Sequence, residues 1–441
     1  MTGIATPLKI LVRRRKRLLA QLGEGAVAVL PAAHEVPRNR DTHYPFRQDS
    51  DFLYLTGFNE PDAVLVLVPG REEGECLLFV RPHDPEKERW DGRRAGLAGA
   101  LRDFGADEAH AIEALDGILP ALLENRERVY LPLGRDLSFD ARMMSCVNGI
   151  RARVRAGIRA PREFHDIAPL VHEMRLFKDA HEIELMREAA RVSALAHRRV
   201  MQQCRPGMFE YQLEAELLHA FRHEGAEASF PPIVAAGAHA TILHYRENQA
   251  VLRKGELLLV DAGAEMHGYA GDITRVMPVS GKFSKGQREL TELVISAQMA
   301  AIAAVRPGAD WDAPHRAAVE TLTQGLVEIG LLKGRVGKLI EKEAYRRFYM
   351  HRTGHWLGLD VHDVGEYKID GRWRPLEPGM VLTVEPGLYV GDEEDIPKRY
   401  RNIGIRIEDD VRVTREGHEV LTDSVPKAPD EIEALMAGAE V

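Results

Sequence analysis

The chain has 441 residues, of which 45% are hydrophobic and 29% are charged, a composition typical of a folded, soluble protein with a large core. This length exceeds what one ordinary core needs, which favours two domains. The formal net charge of −9 argues against nucleic acid as the main partner.

The basic run at residues 13–17 is a local exception to the acidic balance. We interpret it as the solvated face of a first helix, with a nucleic-acid or membrane patch as the alternative. Residues 18–24 are too few and too polar for a signal peptide, and no stretch approaches the about 18 apolar residues of a membrane span. Three scattered cysteines without paired metal spacing fit a reducing compartment, so we expect a cytoplasmic protein: Cys76, Cys146 and Cys204.

Short apolar runs alternate with helical stretches over residues 1–172. Turn residues bound five candidate strands, at 25–30, 52–56, 63–68, 76–80 and 129–133. Strands that alternate with helices predict an α/β domain with a partly parallel sheet. Residues 84–91 are predicted to form a charged loop or helix. Its tryptophan, Trp90, is interpreted as a core residue, with an interface or substrate role as the alternative.

The pattern changes near residue 172, where we place the boundary to a second domain, 173–441. Asp179 and Glu182 have the spacing of a helix capping box, and helices are predicted at 180–203, 209–224, 285–305 and 310–329. His219 and His223 lie four residues apart, but no glutamate follows His219 as an HExxH zinc site requires, so both are interpreted as surface residues. Strands and loops follow residue 334, which makes this domain α+β.

Residues 257–277 form a predicted hairpin with an acid on each arm, Asp261 and Asp272. Folded about its midpoint without a bulge, the hairpin places the two acids opposite each other, where Cβ atoms are about 4.5–5.5 Å apart. Two ionised carboxylates this close in a hydrophobic sheet repel each other. The hairpin therefore predicts a positive charge between them.

Glu385 and Glu408 share this setting, because each also lies at or inside an apolar strand. Three histidines, among them His355, follow in the Gly-rich segment 351–363. Four carboxylates carry a charge that two divalent cations neutralise, and oxygen ligands with one imidazole favour Mn²⁺, Co²⁺ or Fe²⁺ over structural zinc. Two such ions hold a water between them and polarise a carbonyl, so the residues predict a hydrolase.

The order Asp261, Asp272, His355, Glu385, Glu408 resembles the ligand set of the pita-bread metallopeptidases. Within that family, which includes methionine aminopeptidase and prolidase, the chain is most similar to the bacterial aminopeptidase P (Xaa-Pro aminopeptidase) branch. The resemblance spans nearly the whole chain and rests on these strings: YPFRQDSDF at 44–52, TGFNEP at 56–61, HEMRLFK at 172–178, HWLGLDVHDVG at 355–365, EPGMVLTVEPGLY at 377–389 and GIRIEDD at 404–410.

The resemblance implies a two-domain protein whose catalytic half has the pita-bread fold and binds two divalent ions, Mn²⁺ before Co²⁺ or Zn²⁺. It implies that Asp261 binds one ion through both oxygens and that Asp272 and Glu408 bridge the two. His355 and Glu385 complete the other site, and Glu385 also handles the proton of the bridging water. The resemblance also implies that His244 and His362 stabilise the tetrahedral intermediate and position the substrate, and that His351 lies near the substrate. Arg406, Tyr389 and Asp41 resemble a network that supports the metal ligands.

Trp90 matches a tryptophan that reaches a neighbouring subunit's active site in a tetramer, so the resemblance implies a homotetramer, with a homodimer as the alternative. The implied substrates are peptides with proline at position 2, cut before the proline. One departure from the family pattern is Arg352-Thr353-Gly354, where Arg352 adds a cation beside the site and is assigned to substrate binding.

Two alternatives to this function remain open from the sequence. A prolidase cuts the Xaa-Pro dipeptide alone, and Arg352 or Arg372 has the charge to read the proline carboxylate. A metal-free creatinase-like enzyme or binding module on the same fold is the more distant alternative, although all five ligand positions hold competent side chains.

Overall fold

The computed structural model describes residues 6–439. Its contacts divide the chain into two compact units, Met1–Arg175 and Leu176–Val441. No helix in the described part of the chain has both the length and the apolar character needed to cross a bilayer.

The first unit is an α/β structure. Its helices are α1 Leu8–Leu22, α2 Ser50–Thr56, α3 Pro85–Asp91, α4 Gly96–Arg102, α5 Leu115–Leu123, α6 Leu137–Arg151 and α7 Ala168–Leu176. Its strands are β1 Ala26–Pro31, β2 Pro37–Asn39, β3 Thr42–His43, β4 Val64–Leu67, β5 Cys76–Val80, β6 Glu108–Ala111, β7 Arg128–Leu131 and β8 Glu163–Asp166. Six of these strands form one mixed sheet in the order β6-β5-β4-β1-β7-β8. The predicted partly parallel sheet is confirmed.

One predicted strand of this unit is wrong, because residues 52–56 belong to helix α2. The Asp49 side chain accepts a hydrogen bond from the Phe52 amide and so caps the helix N-terminus. Gly57 ends the helix in the left-handed conformation, at φ 66°. The capping residues on both sides therefore outweigh the strand preference of the aromatic and β-branched residues between them.

The basic run lies on α1 as predicted, but two of its arginines are buried rather than solvated: Arg14 and Arg15. Arg14 donates to the carbonyl of Tyr54 at 3.1 Å, and Arg15 donates to the carbonyl of Leu55 at 3.0 Å. These carbonyls lie at the C-terminal end of α2, where the helix itself supplies no donors. The run therefore holds two helices together, which charge alone does not reveal in a sequence.

The second unit is an α+β structure, as predicted. Its helices are α8 Ala180–Gln203, α9 Glu210–His223, α10 Lys285–Ala304, α11 Ala313–Glu328, α12 Val336–Glu341 and α13 Pro429–Met436. Its strands are β9 Glu227–Ala228, β10 Ile233–Ala236, β11 Leu257–Ala262, β12 Ala264–Met266, β13 Tyr269–Ala270, β14 Ile273–Pro278, β15 Lys368–Ile369, β16 Arg372–Trp373, β17 Val381–Val384, β18 Gly387–Val390, β19 Ile403–Arg406, β20 Asp409–Val413 and β21 His418–Val420. Helices α12 and α13 lie in regions predicted as strands and loops.

The strands of the second unit form short antiparallel sheets with helices packed on them. Strands β10, β11 and β14 form one sheet, β17, β20 and β21 a second, and β18 and β19 a third. Helices α10 and α11 pack with one buried cluster of apolar side chains, and α8 and α9 pack with another. The sheets are thus buried on their helix-facing sides, and the loops between strands carry most of the polar residues discussed below.

The predicted pairing of Asp261 with Asp272 is wrong by two residues. In the structure Asp261 pairs with Thr274, because the hairpin turns at His267 and Gly268, both at positive φ, rather than at residues 266 and 267. Positive φ at two central residues is the mark of a type I′ turn, which matches the twist of the flanking strands. A shift of two preserves the alternation of side chains, so both acids still line the same cavity.

Candidate metal centre

A cavity of about 590 Å³ opens in the second unit and brings ten predicted site residues together. Its wall includes the five proposed metal ligands and five further predicted residues: Asp261, Asp272, His355, Glu385, Glu408, His244, His351, Arg352, His362 and Arg406. Apolar side chains, including Phe230, Leu243 and Val361, complete the lining. An apolar cavity with a few convergent polar groups is the usual form of a ligand site.

Asp261 and Asp272 are positioned by a break in the hairpin between β11 and β12. A Cβ on Gly263 would lie 1.7 Å from the main-chain oxygen of Gly271, so the two arms approach closer here than any side chain permits. The amide of Asp272 donates to Oδ2 of Asp410 at 3.1 Å. The close approach and this hydrogen bond fix the loop that carries Asp272.

Helix α8 holds the same break from behind. The Ser193 hydroxyl accepts a hydrogen bond from the Ala264 amide at 2.8 Å, and Nε2 of His197 donates to the Ala262 carbonyl at 2.9 Å. These two side chains lie one helical turn apart, on one face of the helix. Burial lowers the pKa of His197 to about 4, so the imidazole stays neutral. The helix therefore supplies hydrogen-bond partners to the peptide groups on both sides of the break.

His355 and Glu385 are brought together by an antiparallel pairing of residues 353–357 with β17. The Thr383 amide donates to the His355 carbonyl at 2.9 Å, and the Glu385 amide donates to the Thr353 carbonyl at 2.8 Å. A Cβ on Gly354 would lie 2.0 Å from the Thr383 carbonyl oxygen, so this approach also needs glycine. Nε2 of His355 consequently lies 3.8 Å from Oε1 of Glu385.

Glu408 and Arg406 come from the segment that joins β19 to β20. The Thr274 hydroxyl donates to Oε2 of Glu408 at 2.5 Å, and Nε of Arg406 donates to the same hydroxyl at 3.1 Å. Nη2 of Arg406 donates to Oδ2 of Asp261, and this contact is an ion pair. Thr274, which the sequence analysis did not single out, thus links the segment to the hairpin.

The carboxylates raise one another's pKa. Burial raises the pKa of Asp272 well above its usual range, and the charges of Glu408 and Asp261 add to the effect. Burial and the charge of Glu408 act in the same way on the pKa of Glu385. Burial and the charge of Asp261 raise the pKa of Glu408 to about 7. Nearby Arg406 offsets part of this repulsion, so the cluster carries more negative charge than the protein compensates.

The donor set fits divalent metal ions. Among the described residues, Oδ1 of Asp261 and Oδ1 of Asp272 are buried without any hydrogen-bond partner. Candidate ligand atoms of Asp272, His355 and Glu408 all lie within 4.8 Å of one another. Nδ1 of His355 donates to the Trp356 carbonyl, which leaves the lone pair of Nε2 directed at Oδ2 of Asp272, 3.4 Å away. Orphaned oxygens and a lone pair that face one another require a cation between them.

Three further histidines line the cavity around this cluster: His244, His351 and His362. Nε2 of His351 forms a hydrogen bond with the Tyr389 hydroxyl at 2.9 Å, and Nη1 of Arg406 donates to that hydroxyl at 3.0 Å. Burial and the charge of Arg406 lower the pKa of His351 to about 4. The His362 ring packs edge-on against His355 with centroids 4.3 Å apart, and burial with the charge of His355 lowers the pKa of His362. Neutral imidazoles can accept or donate a hydrogen bond to a substrate.

Three predicted residues do not line this cavity. Tyr389 lies behind it, in contact with Arg406 and His351. Trp90 belongs to the first unit, on α3, and is 88% exposed, so its interpretation as a core residue is wrong. Asp41 is an exposed residue of the turn between β2 and β3. Arg372, the other candidate for reading a carboxylate, lies on β16 outside the cavity wall.

Several residues that support the cavity were missed by the sequence analysis. Asp410 accepts from the Asp272 amide, and Lys178 forms a buried ion pair with Asp363, the neighbour of His362. A Cβ on Gly358 would lie 2.2 Å from Oδ2 of Asp363, so the histidine-bearing loop packs directly on this pair. The three consecutive acids at 408–410 were the one available signal for Asp410, whereas the Lys178 pair spans 185 residues of sequence.

Comparisons with known proteins agree with this architecture. Residues 184–415 match metallopeptidase family M24, and residues 11–130 match the aminopeptidase P N-terminal domain. The chain belongs to metallopeptidase family M24, and the predicted α/β domain followed by a pita-bread catalytic domain is confirmed. The family implies divalent metal ions.

Within this family, the chain is similar to Xaa-Pro aminopeptidases over almost its whole length. The Xaa-Pro aminopeptidase of Escherichia coli (strain K12) is 47% identical over 97% of both chains, and that of Haemophilus influenzae is 46% identical over 96% of both. The structure of the Pseudomonas aeruginosa aminopeptidase matches with a TM-score of 0.98 and 54% identity over 99% of both chains. Zinc-substituted E. coli aminopeptidase P in complex with product matches with a TM-score of 0.96 and 46% identity over 99% of both chains.

Proposed function

We propose that the chain is a dinuclear metal-dependent aminopeptidase that hydrolyses the bond between an N-terminal residue and a penultimate proline. The observation that carries this proposal is the cluster of four carboxylates and one imidazole in an apolar cavity, with two buried carboxylate oxygens that have no partner among the described residues. The identity of 47% over nearly the full length of an Xaa-Pro aminopeptidase supports the substrate class.

The ligand assignment follows the positions of the donors. Asp272, His355 and Glu408 share the tightest group of ligand atoms, which supports Asp272 and Glu408 as ligands shared by two ions. Asp261 serves one ion, and Glu385 joins His355 at the other. Oxygen-rich ligation favours Mn²⁺, with Co²⁺ or Zn²⁺ as alternatives. When bound, such a pair of ions lowers the pKa of water and polarises a carbonyl.

The protein's own groups complete the chemistry. Glu385 is in position to take the proton from the attacking water, because it lines the cavity with its Oε1 3.8 Å from Nε2 of His355. His362 faces the cavity with a lowered pKa, and as a neutral imidazole it suits stabilisation of the oxygen of a tetrahedral intermediate, with His244 beside it in the wall. His351 is held by the Arg352 carbonyl and the Tyr389 hydroxyl, which suits it to shape the substrate cavity. Arg406 holds Asp261 and Tyr389, and so orients the cluster without binding substrate.

The apolar lining of the cavity fits the ring of a proline at position 2 of the peptide. Its tertiary amide has no N–H and a fixed φ, so the ring is recognised by shape. Phe230, Leu243, Val361 and Tyr367 line the cavity and offer an apolar seat for such a ring. Prolidase activity, restricted to the Xaa-Pro dipeptide, is the second candidate, and the presence of Arg352 in the cavity wall is the observation that keeps it open.

We further propose a cytoplasmic homotetramer, with a homodimer as the alternative. The two cysteines with the largest shifts have thiol pKa values raised by burial, Cys76 to about 11 and Cys204 to about 12, which suits reduced thiols. An indole that is 88% exposed on α3, Trp90, suits an interface between subunits. The proposed role of Asp41 in support of the metal ligands and the substrate site rests on its match to the family.

The test of the function begins with removal of metal by a chelator and addition of Mn²⁺, Co²⁺ or Zn²⁺ in parallel. We expect restored cleavage of an Xaa-Pro-Yaa tripeptide before the proline, and weaker or no cleavage of an Xaa-Pro dipeptide. Cleavage of the dipeptide alone would establish a prolidase. If no added metal restored activity and calorimetry detected no stoichiometric binding, the dinuclear centre would be refuted.

A further inference from the structure

The charged residues of the cavity wall are divided by sign. All four acids in the described wall belong to the proposed metal cluster, and the other charged side chains are three arginines: Arg246, Arg352 and Arg406. Arg406 is committed to Asp261 by an ion pair. Arg246 and Arg352 are therefore the two arginines of the described wall that no acid of the cluster holds.

Arg246 stands on a loop that the core holds in place. On one side of it, the buried Tyr245 donates its hydroxyl proton to Oε2 of Glu210 at 2.8 Å. On the other side, the buried Asn248 accepts from the Val234 amide at 3.0 Å and donates to the Pro232 carbonyl at 2.9 Å. Arg246 itself is exposed and makes no hydrogen bond or ion pair within residues 6–439. Its charge is thus presented by a fixed backbone and is not neutralised.

Arg352 is held in place by neighbouring side chains but keeps N–H donors that are available to a ligand. Its Nη2 donates to Oδ1 of Asp312, and its guanidinium lies 5.0 Å from the centre of the Trp373 ring. Arg316 also pairs with Asp312, so the acid is shared between two cations. The Arg352 side chain remains 47% exposed, and a guanidinium has five N–H donors, so several stay available to a ligand.

We propose that Arg246 and Arg352 select peptides with a negative charge just after the proline, and this inference rests on the proposed function. The charge has two sources: the C-terminal carboxylate of a tripeptide, or the side chain of an aspartate or glutamate that follows proline. A carboxylate there gains two charge-assisted contacts, whereas a lysine is repelled. The arginines act on the half of the substrate that leaves, away from the metal cluster.

The experiment compares kcat/KM for peptides that differ in one charge. The amidated peptides Ala-Pro-Glu, Ala-Pro-Gln and Ala-Pro-Lys isolate the side chain, and Ala-Pro-Ala with a free or an amidated C-terminus isolates the terminal carboxylate. Each partly exposed ion pair is worth up to about fivefold. We expect the glutamate peptide to exceed the glutamine peptide by about 5–20-fold at low salt, with a smaller ratio at high salt because exposed charges are screened.

The variants Arg246→Gln, Arg352→Gln and the double variant should each reduce this ratio, and the double variant should bring it close to one. Arg253→Gln is the matched control, because it removes one exposed positive charge from the same unit outside the cavity wall. It should leave the ratio unchanged. The ratio is the readout, so a general loss of activity in a variant does not mimic the expected result.

The outcomes separate this inference from the proposed function. If the metal-loaded protein cleaved the glutamate and glutamine peptides equally, the charge selection would be overturned and the aminopeptidase would stand. If no peptide were cleaved, the proposed function would fail, and calorimetry with Pro-Glu-amide and Pro-Gln-amide would decide the charge preference directly. Equal affinity for those two dipeptides would then overturn it.

Discussion

Arg275 is a fully buried cation directly behind the proposed metal centre, where it contacts the main chain of Glu408. Its guanidinium donates to Oδ1 of Asp409 at 2.7 Å and to the Glu408 carbonyl at 2.6 Å. It also donates to three further carbonyls, those of Thr274, Val425 and Pro426. Asp409 is equally buried, and although burial alone would raise its pKa, the charges of Arg275 and Lys427 lower it.

The variant Arg275→Met should cost about 3–5 kcal/mol of unfolding free energy, because it leaves a buried carboxylate with one cation and several carbonyls without their donor. A unit of this size loses about 2–4 °C of Tm per kcal/mol, so we expect a fall of about 6–20 °C. The double variant Arg275→Met/Asp409→Asn should recover part of the loss, because the uncompensated charge is then absent. Urea unfolding and calorimetry of the metal-free protein measure both effects.

The matched control is Arg412→Met on β20, the strand that also carries Asp409. Arg412 pairs with Glu419 at 3.1 Å, but both side chains are about one-third exposed, and such pairs are worth about 1 kcal/mol or less. If Arg275→Met cost no more than Arg412→Met, burial would not be the source of the effect and our reasoning would be refuted. The folded Arg275→Met variant should also bind Mn²⁺ more weakly, because the Glu408 main chain has lost its anchor.

Three other predictions concern single positions. Asp272→Ala should lower kcat/KM by more than about 1,000-fold and abolish the second metal equivalent in titrations, since several kcal/mol of transition-state stabilisation depend on both ions, and near-normal turnover would contradict a bridging role. Gly263→Ala should destabilise the fold by about 3 kcal/mol in urea unfolding, because its Cβ would lie 1.7 Å from main-chain oxygen, whereas Gly417→Ala, with no atom within 4 Å, should be close to neutral. The pKa of Asp51 is lowered, because the hydrogen bond from His172 and the charge of Arg175 outweigh burial. The ionised Asp51 therefore stabilises the fold above its unfolded pKa of about 3.9, and this stabilisation is lost as the pH falls through the lowered pKa of the folded state. The difference in unfolding free energy between wild type and Asp51→Asn should accordingly shrink in acid. A difference that stayed constant with pH would refute the lowered pKa of Asp51.

The sequence predicted which residues share the cavity better than it predicted the elements around them. The four proposed acid ligands were recognisable because a carboxylate at the end of an apolar strand is costly to bury without a cation, and His355 was recognisable from its Gly-rich segment with three histidines. All five line one cavity. Segment 52–56 was predicted as a strand because its aromatic and β-branched residues received more weight than the capping residues Asp49 and Gly57, which prevail in the structure. Buried Arg14 and Arg15 were misread because a basic run looks the same whether water or backbone carbonyls receive its hydrogen bonds.

The supporting residues could not be found from local patterns, for a physical reason. His197 and Ser193 have the spacing of ordinary polar residues on a helix, and their role depends on a strand break about 70 positions away. Asp363 is one of many acids until Lys178 is placed beside it. Such contacts are set by tertiary packing, and a single sequence records neither partner as unusual.

The turn at His267 and Gly268 restricts the insertions and deletions that related sequences can carry in this hairpin. Side chains alternate along each arm of the hairpin, so adding or removing one turn residue would rotate Asp272 away from Asp261, whereas a change of two would keep both on one face. The predicted and observed registers differ by two residues, and in both registers the two acid side chains lie on the same face. Insertions and deletions that this turn tolerates should therefore involve an even number of residues.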